Sequence, residues 1–266
     1  MSLPRKMTVN CSKCGEPIEV TAFQSVNTDY ADNIAERIIS GDLFNAKCPK
    51  CGFISHLNYD MLYHDIKRKA MIWVIHKDTK EYKTRVAEAR SANIISYKTT
   101  RIVEDMNALR EKVACLESNR DDRIIELYKV YMAYHILSKR PGFDFRNAFY
   151  TTSNVGGLIF LYDTEGTELV CEVLDELYDH FSNLYFNSIY YKNFDDNYAI
   201  VDFAWANQIF MPLINGQAKV SESERSSTPQ ATSMSSDSQR KSDSMQPKSS
   251  KIRNLIASVK RKFFKK

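Results

Sequence analysis

The sequence predicts an α+β fold, and three features of its 266 residues carry that prediction. Two Cys-x-x-Cys-Gly segments occur in the N-terminal half, Cys11-Ser12-Lys13-Cys14-Gly15 and Cys48-Pro49-Lys50-Cys51-Gly52. Apolar runs of strand length, such as Ala70-Met71-Ile72-Trp73-Val74-Ile75, alternate with stretches of helical period, such as Met106, Leu109, Val113 and Leu116. The composition, 43% hydrophobic and 26% charged, belongs to a globular chain long enough to bury a sizeable core in one or two domains.

The cysteine pairs are the most specific signal. Two cysteines separated by two residues fit a tight turn that aims both sulfurs at one point, and the glycine that follows permits the backbone such a turn needs. Pro49 pre-sets one backbone angle of the second turn. Together Cys11, Cys14, Cys48 and Cys51 supply the closed tetrahedral set of thiolates that structural zinc favours. A redox dithiol is expected as a single pair near a βαβ pattern, disulfides require an oxidising compartment, and an iron–sulfur cluster departs from this spacing only by habit. Zinc is therefore the expected metal, and the N-terminal segment is expected to be zinc-ribbon-like.

In chain order, residues 8–11 and 18–23 read as short strands, the second alternating Ile18, Val20 and Ala22 with mostly polar neighbours. Asn27-Thr28-Asp29 offers caps for a helix over residues 30–40 that Gly41 ends. Residues 43–47 lead into the second cysteine turn and residues 53–59 lead out as a strand, giving a ribbon with a strand–helix insertion. The apolar run 70–75 should be buried on both faces. Residues 80–90 are highly charged and read as a loose helix or an insertion, and residues 99–103 as a strand. Two helices follow, over residues 105–116 and from Asp121 or Asp122 to about Leu137, and form a helical hairpin that Pro141-Gly142 stops.

The cysteine pairs, Ser25-Val26-Asn27, Leu62-Tyr63-His64-Asp65 and Asp121-Asp122-Arg123-Ile124-Ile125-Glu126 together resemble the CpXC family of prokaryotic proteins over about residues 7–135. Ser12 stands where that family's name places proline, which loosens the first turn and leaves the ligands intact. The resemblance implies a zinc-binding domain and no assigned activity.

Beyond Pro141 a second small α+β unit is expected. Strands are predicted over residues 149–152, 157–162 and 169–173, the last two flanking the turn Asp163-Thr164-Glu165-Gly166. A helix with a broad aromatic face is predicted over residues 174–190, then a strand over 198–203 and a short terminal element over 205–213. The resulting division is 1–140 for the zinc-binding domain, 141–215 for the second unit, 216–250 for a disordered serine-rich linker, and 251–266 for a basic amphipathic helix.

The net charge of +4 divides unevenly. Residues 217–266 hold 12 Lys and Arg against 4 Asp and Glu, leaving residues 1–216 with 25 against 29. An acidic body argues against nucleic-acid binding. The tail places Ile252, Leu255, Ile256, Val259 and Phe263 at helical spacing among lysines and arginines. It is too short to be stable alone, so its expected partner is an anionic membrane surface, an acidic protein, or the body of the chain itself. No apolar run reaches the roughly 18 residues of a transmembrane helix and residues 1–10 lack a signal peptide's apolar core, so the expected location is cytoplasmic, peripheral at the inner membrane face through the tail.

Two further clusters invite acid–base roles, His64 with Asp65, and Asp121-Asp122-Arg123 with Glu126. Their structural reading is stronger: a helix cap, an Arg123–Glu126 pair along one helix, and a hydrogen-bonded histidine beside a strand. Cys115 and Cys171 read as buried free thiols. The expected function is that of a zinc-stabilised interaction protein. Its alternatives are an enzyme with a pocket between the two units and a nucleic-acid-binding ribbon.

Overall fold

The computed structural model describes residues 2–30, 33–91, 97–154 and 156–218. Its first layer is a five-stranded mixed sheet ordered β1-β2-β5-β6-β7. β1 (Leu3–Asn10) and β2 (Pro17–Asn27) form a long antiparallel hairpin, β5 (Met61–Asp65) and β6 (Ala70–Val74) a second one, and β7 (Thr99–Val103) closes the sheet parallel to β6. β2 runs past the expected end at Phe23 because Ser25, Val26 and Asn27 pair in parallel with Leu62, Tyr63 and His64. As the unbroken apolar run requires, β6 is buried on both faces.

On one face of this sheet lie α1 (Ile34–Ser40) and α3 (Met106–Glu117), which bury Ile38, Leu109 and Val113 against Val26, Tyr63, Ile72 and Val74. The other face packs Met71, Ile75 and Ile102 under Val86 and Ala89 of α2 (Tyr82–Ser91) and under Tyr198. The charged stretch of residues 80–90 is thus a helix with two buried anchors. β3 (Asn45–Lys47) and β4 (Ile54–His56) form a separate two-stranded ribbon, with β4 shorter than the expected strand over residues 53–59.

β8 (Phe145–Ser153), β9 (Gly156–Asp163) and β10 (Glu168–Glu172) make an antiparallel meander, packed with α4 (Asp122–Lys139), α5 (Asp175–Phe186) and α7 (Phe203–Ile214). The two units share their helices: Ala114 and Cys115 of α3 and most of α4 lie in the same core as Tyr150, Leu161, Phe181 and Phe210. The high aromatic content is spent here, where Phe181 meets Tyr128, Tyr131 and Phe210 at ring separations of 5.5–6.1 Å.

Two expectations are corrected. The helix predicted over residues 174–190 ends at Phe186, because Ser188 accepts a bond from Tyr191 N and starts the short α6 (Ile189–Lys192). The strand predicted over residues 198–203 is an extended passage with a single bridge, Ala199 to Arg101, and Asp202 then caps α7 by accepting from Trp205 N at 2.7 Å. The described chain ends with Ala218 buried and its carbonyl accepting from Ile189 N at 2.9 Å. The rest of the predicted linker 216–250, and the predicted helix 251–266, lie outside the described residues.

Gly157 packs so close to the buried Tyr150 ring that an added Cβ would sit 2.8 Å from it, and Tyr150 is held by Ser118 at 2.9 Å. Gly157→Ala is expected to cost about 1–3 kcal/mol in urea unfolding. An unchanged midpoint would show that the ring is free to yield.

Candidate metal centre and inter-unit cleft

Each cysteine pair occupies the loop of a hairpin. Asn10 pairs with Pro17 and Lys47 with Ile54, so residues 11–16 and 48–53 are six-residue connections with the same internal bonding. Cys11 N donates to Glu16 O and Cys48 N to Phe53 O, both at 2.8 Å; Gly15 N donates to Cys11 O at 2.9 Å and Gly52 N to Cys48 O at 3.0 Å. Both glycines sit at left-handed φ, 74° and 70°, with open space where a Cβ would stand, so backbone conformation rather than crowding demands glycine. Lys50 bridges to Glu16 across the loops at 3.0 Å.

The loops bring the four sulfurs within 4.8 Å of one another, with Cys11–Cys51 and Cys14–Cys48 at 3.6 Å. A tetrahedral zinc with sulfurs at about 2.3 Å separates them by roughly 3.8 Å, so this donor set fits such an ion. The thiols need a cation to ionise together. Desolvation of Cys11 is outweighed by the N–H groups of Cys14 and Lys13, which bring it down to about 7. The N–H of Glu16 favours the Cys14 thiolate, yet the sulfurs of Cys51, Cys48 and Cys11 push that group up to about 12.

The other predicted clusters resolve separately. His64 meets Asn27 at 3.4 Å and the Tyr97 hydroxyl, while Asp65 is fully buried and accepts from Arg68 N and Nη1 at 2.9 Å each. Asp121 caps α4 by accepting from Arg123 N at 2.9 Å. The expected Arg123–Glu126 pair is not made. Arg123 pairs with Asp121 at 2.6 Å and lies among the rings of Tyr185, Phe186, Tyr191 and Phe194, drawn off the α4 surface by cation–π attraction. Cys115 is buried and Cys171 half-buried, and burial raises both thiols.

Glu126 instead belongs to a buried chain of charges. Arg101, 2% exposed in β7, holds Asp122 with two bonds of 2.8 and 2.9 Å and reaches Asp196 at 2.5 Å. Lys112 joins Asp122 and Glu126 at 3.2 and 3.1 Å, and Lys129 joins Glu111 at 2.6 Å and contacts the second Glu126 oxygen at 2.8 Å without hydrogen-bond alignment. Glu111 also accepts from Tyr150 N at 2.8 Å, which ties the chain to β8. Burial opposes the Asp122 carboxylate, but Arg101 and Lys112 more than reverse this and hold its pKa far below the usual range. Burial lifts Glu111 to about 7 against the pull of Lys129. Arg101 beside Ile102 and Val103 in a predicted strand, and Glu126 and Lys129 flanking Tyr128 on the core side of α4, were the available sequence signals for this network.

Glu111, Lys112, Glu126 and Lys129 floor a cleft of about 530 Å³ between the two units. Glu104, Asp105 and Asp202 line it where the chain is more exposed, and Phe149 and Tyr162 supply the wall from the meander. The enzyme alternative placed a pocket between these units; His64 and Asp65 are not among its lining residues, and of the Asp121–Glu126 group Glu126 is.

Residues 9–129 match the family described as CpXC protein. That span covers all four cysteines and the buried charges from Arg101 to Lys129, and leaves out the meander, α5 to α7 and Asp196. No curated protein and no solved structure matches the chain.

Removing one member of a buried pair strands its partner, so Asp122→Ala is expected to cost about 3–5 kcal/mol in chemical denaturation. The raised Glu111 binds its proton more tightly folded than unfolded. Its stabilising contribution is complete below the unfolded carboxyl value and is lost as pH climbs through about 7. Wild type should therefore lose stability relative to Glu111→Gln between about pH 5 and 7, read from urea midpoints across that range.

Proposed function

We propose that the chain, whose residues 9–129 belong to the CpXC family, is a zinc-stabilised binding protein in which Cys11, Cys14, Cys48 and Cys51 are the ligands of one structural zinc ion. The observation that carries this reading is the convergence of four sulfurs from two identically bonded hairpin loops. Four protein thiolates complete a tetrahedron and leave no open position for water or substrate, which makes the metal a fastener rather than a reagent. It joins the β1–β2 hairpin to the β3–β4 ribbon in the zinc-ribbon manner, where the apolar cluster is small, built on Ile18, Ala46 and Leu57.

Binding surfaces in this reading are the inter-unit cleft and the basic segment 251–266, whose partner is an anionic membrane surface or an acidic protein. No helix among the described residues is long and apolar enough to cross a membrane. The tail would hold the protein at the cytoplasmic face by charge and shallow insertion, each basic residue adding about 1 kcal/mol near anionic lipid. A second reading, an enzyme working at the cleft, draws support from the Glu111–Glu126 pair on its floor, where burial and neighbouring lysines move the two carboxyls in opposite directions. Full pairing of those groups with Lys112 and Lys129 favours the binding reading.

Purified protein is expected to carry one zinc ion per chain. Cys48→Ser with Cys51→Ser should lose the metal and lower the melting temperature, and a strong chelator should do the same to wild type. A metal-free wild type with unchanged melting would remove the structural-zinc reading. Deleting residues 251–266 should abolish co-sedimentation with anionic vesicles while zinc content stays the same.

A further inference from the structure

We propose that the inter-unit cleft is a docking site for a lysine- and arginine-rich segment, and that its occupant is the chain's own residues 251–266. The cleft is charged unevenly. On its floor Lys112 and Lys129 are answered by Asp122, Glu126 and Glu111, so the buried part is close to neutral. Arg110 is committed to the carbonyls of Ile39 and Ser40 at 3.0 and 3.3 Å and to Asn107. The more exposed part carries Glu104, Asp105 and Asp202, against which stands the solvent-exposed Lys77, paired with Glu104 at 3.2 Å. An exposed pair of that kind contributes little and yields readily to a competing cation. Three carboxylates beside a low-dielectric wall form a negative mouth.

The chain itself supplies the complementary charge. Residues 251–266 contain seven lysines and arginines and no acidic residue. The reach is also adequate. Asp202 lies at the cleft and caps α7, so the helix to Ile214 carries the chain about 18 Å away at 1.5 Å per residue. Residues 219–250 must return over that distance, and a coil of that length spans about 30 Å. Tethering at this range gives an effective concentration on the order of millimolar, which populates even a weak contact. A cavity of about 530 Å³ takes a few residues rather than a whole helix, and Lys260-Arg261-Lys262 is the densest basic triplet of the segment. Occupied in this way, the tail is withheld from an anionic surface until that surface outcompetes the cleft; this consequence, unlike the docking itself, rests on the membrane reading above.

The test is zero-length carbodiimide cross-linking of the full, zinc-loaded chain at low protein concentration, followed by peptide mapping. The expected products join Lys260 or Lys262 to Glu104, Asp105 or Asp202 within one chain. Their yield should fall several-fold in high salt, which shortens screening to a few ångström. In the variant Glu104→Gln, Asp105→Asn, Asp202→Asn, in which asparagine preserves both helix caps, these products cannot form, and the total of tail-to-body cross-links should fall several-fold rather than pass to other carboxylates. Zinc content and melting of that variant serve as its control for folding. Tail lysines joined to other carboxylates with undiminished yield in the triple variant, joined only between chains, or not joined at all would overturn the proposal. In parallel, the triple variant should bind phosphatidylcholine vesicles containing phosphatidylglycerol several-fold more tightly than wild type. Equal binding would overturn the withholding of the tail, whereas vesicles that bind neither protein would refute the membrane reading and leave the cross-links to decide the docking.

Discussion

An arginine in the middle of a buried strand imposes its terms on everything packed around it. Arg101 leaves water almost completely, at a cost of several kcal/mol that only close, well-aligned anions offset. Asp122 answers it with both oxygens from the first turn of α4, and Asp196 answers from the far end of the second unit. Those bonds fix where α4 begins against β7 and where the 194–196 segment must pass. Lys112, Glu126, Lys129 and Glu111 then continue the alternation along the α3–α4 interface until it reaches the backbone of β8. Breaking any link leaves an unpaired charge in a dry interior, so the network penalises every other register of these elements more strongly than it rewards this one.

The shared helices follow from that constraint. α3 presents Leu109 and Val113 to the five-stranded sheet, and Ala114 and Cys115 to the meander core. α4 is apolar on much of its circumference and turns Asp122, Glu126 and Lys129 toward Lys112 and Glu111 of α3. Two sheets are thereby packed on a common helical pair, and the cleft is the gap left where the charged sector meets the meander and the turn before α7.

The N-terminal end is held by different means. Its apolar cluster is small, and β1 is an exposed edge strand whose outer side has no neighbour in the sheet. Two hairpin loops of identical bonding bring four sulfurs together there, so coordination can do what burial of area does elsewhere. The cysteine cluster and the charge network thus belong to separate regions, one at a thin periphery where four sulfurs could hold an ion and the other setting the register of a thick core.

Spacing in the sequence was enough to locate the four cysteines, the left-handed glycines, the buried strand β6 and a helix cap at Asp121 or Asp122, because each is decided within a few residues by backbone geometry or by an unbroken apolar run. The α+β class followed from the same periodicities, and the CpXC membership of residues 9–129 from the motifs between them. Where local rules compete, the sequence was ambiguous: Ser188 could continue a helix or cap a new one, and residues 198–203 had strand-like content but one strand neighbour to bridge to. What only the tertiary structure decided is the partner of each charge. Arg123 turned from Glu126 to Asp121 and an aromatic cage, and Glu126 turned inward to Lys112 and Lys129. The physical reason is that a charge in a low-dielectric interior takes the opposite charges and rings nearest in space, and partners such as Lys112 and Glu126, 14 positions apart, or Arg101 and Asp196, 95 apart, become neighbours only once the chain has folded.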